Sequence, residues 1–328
     1  MSTASPVPET WELTGDDARE TLQHCGRRRL MADAFRRLRA ADGFSHARSL
    51  AFALALVLVQ AIIALVGLAA ALGESGASDV IVRSLRAAAP GPAGDLLTSA
   101  VDQAHQAGTT NRYTALWLGL AGAVVTGTTL MGQFERALNR LYGVEQDRPT
   151  LPKYGRAFVL TITVGVLAVA SFAALALGRA IGDGFEDELV ADVWSVARWP
   201  LALILMMSAM ALLFRWSPRR HQPAWSWLAF GASVSVLLWC AVTLALGWFF
   251  RVSTDFGDTY GPLSGLVALM LWSFLSSVAV LLGASVAAQL EAIRAGAPRP
   301  KDPEKVAHSE PGRAEPAATP FAVGSATQ

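Results

Sequence analysis

Charge is scarce in this chain, and the scarcity is patterned. Only 16% of its 328 residues are Asp, Glu, Lys or Arg, against about 25% in a typical soluble domain. Six stretches hold none at all: Leu50–Leu72, Tyr113–Met131, Ala157–Gly178, Pro200–Phe214, Trp227–Phe250 and Leu263–Leu290. Cysteine is nearly missing too. Cys25 and Cys240 lie far apart in the sequence, so neither a disulfide framework nor a metal-binding pair follows. The five histidines, His24, His46, His105, His221 and His308, fall in five different segments with no ligand spacing. No GxxxxGK[ST] loop is present, which argues against an ATP-driven pump within this chain. No GxSxG elbow sits on a strand. A net charge of +1 gives no global attraction to nucleic acid. The clustered acids Glu186–Glu188 read as a solvated loop more readily than as a metal site.

The uncharged blocks decide the fold class. A helix needs roughly 20 apolar residues to cross a hydrocarbon core of about 30 Å. In lipid every backbone polar group must be satisfied within the segment, so such runs are helices. The sequence therefore predicts an all-α polytopic membrane protein with six transmembrane helices, near 50–72, 113–133, 157–178, 199–216, 227–250 and 263–290. The fourth block is short, but Trp199 and Trp216 bracket it as interfacial anchors would. Of the 27 Lys and Arg residues, 21 fall on one side of these spans and six on the other. The positive-inside rule places the richer side, with both termini, in the cytoplasm. A cleaved signal peptide is not expected, because the first apolar block starts only near Leu50.

Three regions result. Residues 1–43 form a polar N-terminal segment, 44–296 the membrane domain and 297–328 a Pro- and charge-rich tail expected to be disordered. Asp17–Ala41 reads as one basic amphipathic helix. It would either lie on anionic inner-leaflet lipids or dock on the cytoplasmic ends of the bundle. The outer segment Ser78–Gln106 reads as two short amphipathic helices split by Pro90–Gly94. "GDTYGPLSG", Gly257–Gly265, reads as a short outer hairpin, with Gly257 and Gly261 free to take unusual backbone angles and Pro262 opening the next helix.

Within the spans, Ala115, Gly119, Ala123 and Gly127 recur every fourth residue, as do Ala279, Gly283 and Ala287. Small residues at that spacing let helix backbones approach closely. Gln60 falls near the middle of the first span, either as interhelical glue or as a group facing a substrate. Trp272, Ser276, Ala279 and Gly283 share one face of the last span. That face either lines an outward-opening cavity, with Tyr260 at its rim and Gln60 opposite, or forms a packing seam.

The stretch "YGPLSGLVALMLWSFLSSVAVLLGAS" (Tyr260–Ser285) resembles the signature of the YihY/virulence-factor BrkB family of bacterial inner-membrane proteins, through Tyr260, Gly261, Trp272, Leu281, Leu282, Gly283 and Ala284. "ALNRLYGVEQDR" (Ala137–Arg148), containing Asn139 and Arg140, resembles the family's cytoplasmic motif, and "FSHARSLAF" (Phe44–Phe52) its entry to the first span. Two positions depart from the pattern. Ser285 stands where the family usually has glutamate, and Gln60 stands near a frequent proline. The resemblance implies a six-span protein with both termini inside. It leaves the activity open, since some members carry a ribonuclease label and transport has been proposed for the family.

Three functions remain open: a permease-like bundle handling a small-molecule or lipid substrate, an envelope structural or interaction protein, and a membrane-tethered ribonuclease. The expectation is a non-enzymatic protein without cofactor, metal or nucleic-acid partner, embedded in the lipid bilayer. Clustered carboxylates or histidines that would hold a nuclease metal are not visible on the cytoplasmic side.

Overall fold

The computed structural model describes residues 3–10, 12–72, 82, 89–182, 188–253 and 255–300. Its elements in chain order are α1 (Gly15–Cys25), α2 (Arg27–Ala40), α3 (Gly43–Leu72), α4 (Pro92–Leu141), α5 (Thr150–Gly182), α6 (Glu188–Trp216), α7 (Trp225–Val252), α8 (Asp255–Tyr260), a 3-10 turn (Gly261–Leu263) and α9 (Ser264–Arg294). No strand occurs among the described residues.

Among the described residues five helices are long and apolar enough to cross a membrane: Gly43–Leu68, Thr150–Leu175, Leu189–Trp216, Trp225–Val252 and Ser264–Arg294. The chain is a multi-pass membrane protein. These spans run past the uncharged blocks at several ends. A helix does not stop at its first charged residue, because long charged side chains can reach the interface from inside it. The block expected at 199–216 begins ten residues earlier, and Pro200 lies inside the helix. Ser171 of α5 donates to the Ala202 carbonyl of α6 at 2.7 Å and ties the two helices together.

Three expectations about the connecting segments need correction. The N-terminal helix is two helices, because Gly26 takes φ 76° and breaks the run. That backbone angle suits a residue without a Cβ. Asp17 accepts from the Thr14 N–H and hydroxyl, both at 2.9 Å, and so fixes the start of α1. The outer amphipathic helix after Pro90–Gly94 is not separate: Pro92–Leu141 is one helix of 50 residues, about 75 Å long at 1.5 Å per residue. Pro92 suits its first turn. Gly91 precedes it at φ 55°, and a Cβ there would lie 2.8 Å from Phe250. The other half of that outer segment falls largely on 73–81 and 83–88, outside the described residues. Gly257–Gly265 is more than a hairpin. It contains the end of α8, a 3-10 turn opened by Gly261 at φ 52°, and the start of α9. Most of the tail, 301–328, also lies outside the described residues. Its first residues are docked, with Gln289 donating to the Pro298 carbonyl at 2.7 Å and the Ser5 N–H to that of Pro300 at 3.0 Å.

α9 is the central helix. Ten consecutive residues, Gly283–Ala292, are buried, as expected of a helix surrounded by others. Its crossing with α7 is built from small residues. A Cβ at Gly231 would come within 2.7 Å of Ala287, and one at Gly283 would collide with Ser235. In α4 the four-residue stripe divides between two neighbours. Gly119 abuts Ala64 of α3, whereas Gly127 abuts Thr161 of α5. Steps of four residues drift about 40° each on a 3.6-residue helix, so eight residues turn the stripe by about 80°.

Replacing Gly283 with Val should overpack the α7–α9 crossing and lower stability by about 1–3 kcal/mol. Gly165, with nothing within 4 Å of its missing Cβ, should tolerate the same change. Thermal unfolding in detergent micelles reads both. Equal melting of the two variants would show that the crossing is not tight.

Candidate functional site

At one end of the bundle a strap of non-helical chain, residues 3–10 and 12–14, lies across the helix ends. It is held by the Ala4 N–H to the Arg140 carbonyl (3.1 Å), the Val7 N–H to that of Tyr142 (3.1 Å) and the Ala224 N–H to that of Leu13 (3.2 Å). Pro6 sits over Gly143, where a Cβ would come within 2.5 Å of it. Glu9 faces His221, with its Oε2 3.2 Å from His221 Nδ1.

Beneath the strap lies a buried ionic knot. Arg37 of α2 is 0% exposed. Its Nε donates to Gln289 Oε1 at 2.7 Å, and its Nη1 donates to the Ser5 and Leu141 carbonyls, each at 3.0 Å. Burial pushes its guanidinium down to about 10, still protonated at neutral pH. Glu291 of α9, also 0% exposed, accepts from Arg220 Nη2 at 2.6 Å and from Thr10 Oγ1 at 2.7 Å. Arg220 also donates to the Pro8 carbonyl at 3.1 Å and stacks over the Tyr142 ring at 4.6 Å. Burial pushes the Tyr142 phenol up, so it stays neutral. Breaking a buried ion pair on one side costs about 3–5 kcal/mol, because the other charge is stranded.

A second cluster adjoins it. Asp147 accepts from Asn139 Nδ2 at 3.0 Å and pairs with Arg136 Nε and Lys153 Nζ, both at 3.3 Å. Asn139 is fully buried, and its Oδ1 accepts from the Arg219 N–H at 2.8 Å. Arg148 pairs with the buried Glu135 at 3.2 Å and donates to the Ser217 and Pro218 carbonyls, each at 2.7 Å. A shallow surface depression here is lined by Val144, Glu145, Gln146 and Arg219.

The residues singled out in the sequence are spread along the bundle. Asn139 belongs to the second cluster, and Arg140 donates to the Glu145 carbonyl at 2.9 Å beside it. Ser285 is fully buried one turn before Gln289. Gly283 lies in the α7–α9 crossing. Trp272 and Ser276 are buried further along α9, and Trp272 Nε1 donates to Thr243 of α7 at 3.2 Å. Tyr260 is 45% exposed and rests on Phe256, ring centroids 4.8 Å apart, next to Gly261. The Gln60 amide packs on Gly122 of α4. Ser273, Ser276 and Ser285 have buried hydroxyls with no protein partner among the described residues. Ser277, by contrast, bonds back to the Ser273 carbonyl at 2.8 Å.

Arg37, Arg220, Tyr142, Gln289 and Glu291 were not singled out from the sequence. One signal was available: Leu30, Ala34, Arg37 and Leu38 follow helical spacing, which places an arginine on an apolar stripe. Among the described residues no three His, Cys, Asp or Glu side chains come together as metal ligands.

The family described as Virulence factor BrkB matches residues 34–309, and the chain belongs to it. A Bacillus subtilis protein named as ribonuclease-like, YfkH, is 25% identical over 79% of this chain and 94% of its own length. A UPF0761 membrane protein of Idiomarina loihiensis is 24% identical over 56% of this chain and 64% of its own. Another, of Verminephrobacter eiseniae, is 32% identical over 56% of this chain and 44% of its own. No solved structure matches the chain.

Burial pushes the Asp147 carboxyl up, but the Asn139 hydrogen bond and the Lys153 and Arg136 charges outweigh it and hold the group below its ordinary value. Its contribution to stability is therefore complete above the ordinary carboxylate pKa of about 4 and is lost as pH falls through the lower folded value. Asp147→Asn should melt below the unmodified protein at about pH 7, and the gap should close towards about pH 3. Melting curves across that range test this. A constant gap would mean that the charge of Asp147 is not what stabilises the cluster.

Proposed function

We propose that this member of the BrkB family is a permease-like, non-enzymatic bundle of six spans that handles a small-molecule or lipid substrate in the bacterial inner membrane, with the strapped end in the cytoplasm. The observation that carries this reading is the set of buried, unpartnered hydroxyls at Ser273, Ser276 and Ser285 on the central helix, near whose end lies the Arg37–Arg220–Glu291 knot. In an apolar bundle a serine ordinarily bonds back to its own helix, as Ser277 does. Polar groups kept inside a membrane bundle are costly and point to a path for something polar. The ribonuclease-like name belongs to the Bacillus relative, and the nuclease reading gains no support from the geometry of either cluster.

Six spans and both termini inside are supported by a parity argument. The starts of α3, α5 and α7 and the ends of α4, α6 and α9 all lie near the strapped end. Arg37 lies just before α3 and bonds to Leu141 at the end of α4. Arg148 lies just before α5 and bonds to Ser217, just after α6. Gly15 donates to Ser226 of α7 at 3.0 Å, and Gln289 and Glu291 lie in the last turns of α9. Alternating ends of this kind support a crossing by α4 as well. The 21 basic residues on that side favour the cytoplasm. The outer face of α2 exposes Met31 and Phe35 among Arg28, Arg36 and Arg39. That composition suits anionic inner-leaflet lipids even though the opposite face, Leu30, Ala34 and Leu38, is docked in the protein.

Two experiments test the proposal. In a background free of Cys25 and Cys240, Gln146→Cys and Asp102→Cys should label from opposite sides of the membrane with an impermeant thiol reagent, Asp102→Cys from outside. Labelling from one side would remove α4 as a span. Ser276→Cys should react with a small water-soluble thiol reagent in the folded, inserted protein. Complete protection would leave a dry packing seam and favour the envelope interaction reading.

A further inference from the structure

We propose that the knot beneath the strap is a binding site for a small, singly charged inorganic anion, held between Arg37 and Arg220. Charge is the first reason. The two guanidiniums face one carboxylate, Glu291, and that carboxylate is taken by Arg220 at 2.6 Å. The protein partners of Arg37 are all neutral: one side-chain amide oxygen and two backbone carbonyls. Arg37 and Glu291 are 0% exposed, and the Arg220 side chain is 2% exposed. Among the described residues, one positive charge in this buried set therefore has no counter-ion. Moving an unpaired ion out of water costs several kcal/mol even after the protein relaxes.

Free valence is the second reason. Arg37 Nη2, Arg220 Nε and Nη1 and the Ser285 hydroxyl are buried and find no protein acceptor among the described residues. They belong to side chains gathered around one backbone segment. Arg37 reaches the Leu141 carbonyl, Arg220 lies over the Tyr142 ring, and Ser285 precedes by one turn the glutamine that Arg37 grips. The free guanidinium N–H groups thus outnumber the pure acceptors left free, Glu291 Oε2 and Gln222 Oε1, while the Ser5 hydroxyl can serve either way. A donor-rich, net-positive pocket selects an anion, whereas water alone would satisfy hydrogen bonds and leave the charge. The strap limits the size. Ser5, Pro8 and Thr10 bond directly to Arg37, Arg220 and Glu291, so a large organic anion could not enter without displacing them. The inference does not depend on the permease-like reading.

The test uses the full chain in detergent micelles. At constant sodium and ionic strength, melting should rise by several degrees when gluconate is replaced by chloride, and should keep rising with the logarithm of chloride concentration, as for a ligand that binds only the folded state. Ser285→Glu places a tethered carboxylate one turn from Gln289 and should melt alike in both salts. Crystals grown in bromide should show an anomalous peak beside Arg37 Nη2 and Arg220 Nη1, a readout that needs no variant. Equal melting of the unmodified protein in both salts, or a bromide structure without that peak, would overturn the site and leave a knot solvated by water alone.

Discussion

A carboxylate with no exposure fixes the geometry of one whole end of this molecule. Glu291 sits on the helix that the rest of the bundle surrounds, and it needs cationic and hydroxyl partners from elsewhere in the chain. Arg220 comes from the α6–α7 connection and Thr10 from the strap, so a single buried charge draws three distant segments together. Arg37 repeats the logic with opposite sign. It brings α2, the strap and the end of α4 onto Gln289. Exposed pairs such as Arg36–Asp33 contribute little beside these, about 0–1 kcal/mol each. The strap is thus pinned through hydrogen bonds to buried charge; among its described residues Ala4 and Val7 are buried and Leu13 packs partly buried against the core.

Away from that end the bundle is held by fit rather than charge. The α7–α9 crossing depends on Gly231, Gly283 and Ala287. Lipid is as apolar as leucine, so close backbone packing replaces the hydrophobic drive of a water-soluble core. Trp239, Trp272 and Phe172 then fill the wider space towards the opposite end, with successive ring centroids 6.4 Å apart.

Much of the fold was legible because a membrane imposes a length rule on apolar runs. Five candidate spans coincide with uncharged blocks. The rule marks where charge is absent, not where a helix ends, so α6 runs through Pro200 and α4 runs from Pro92 to Leu141 without a break. The Gly283 spacing pointed to a close crossing because a missing Cβ is a local property. The ionic knot was not legible for the opposite reason. Arg37, Arg220 and Glu291 are separated by up to 254 positions in sequence, and nothing local says that three ordinary surface residue types will meet in the interior. Counting Arg37 among the basic residues that orient the chain hid its other property, its place on the apolar stripe of α2.

That double role bears on how the strapped end works. Arginines on this side orient a membrane protein while they remain in water, and most here do: Arg28, Arg36 and Arg39 are exposed. Arg37 and Arg220 have been withdrawn from that task at a cost in solvation. A bundle that served only as an anchor could place leucine at 37 and lose nothing but the contacts to Ser5, Leu141 and Gln289. Instead both arginines keep donors free, and the strap that covers them is bound through their remaining N–H groups and through Glu291. Whatever neutralises the excess charge therefore competes with, or reinforces, the contacts that hold the strap. On the permease-like reading this couples the occupancy of the knot to how firmly the strap is held across the helix ends. On the interaction reading it couples the same charge to whether the N-terminal segment is free to meet a partner.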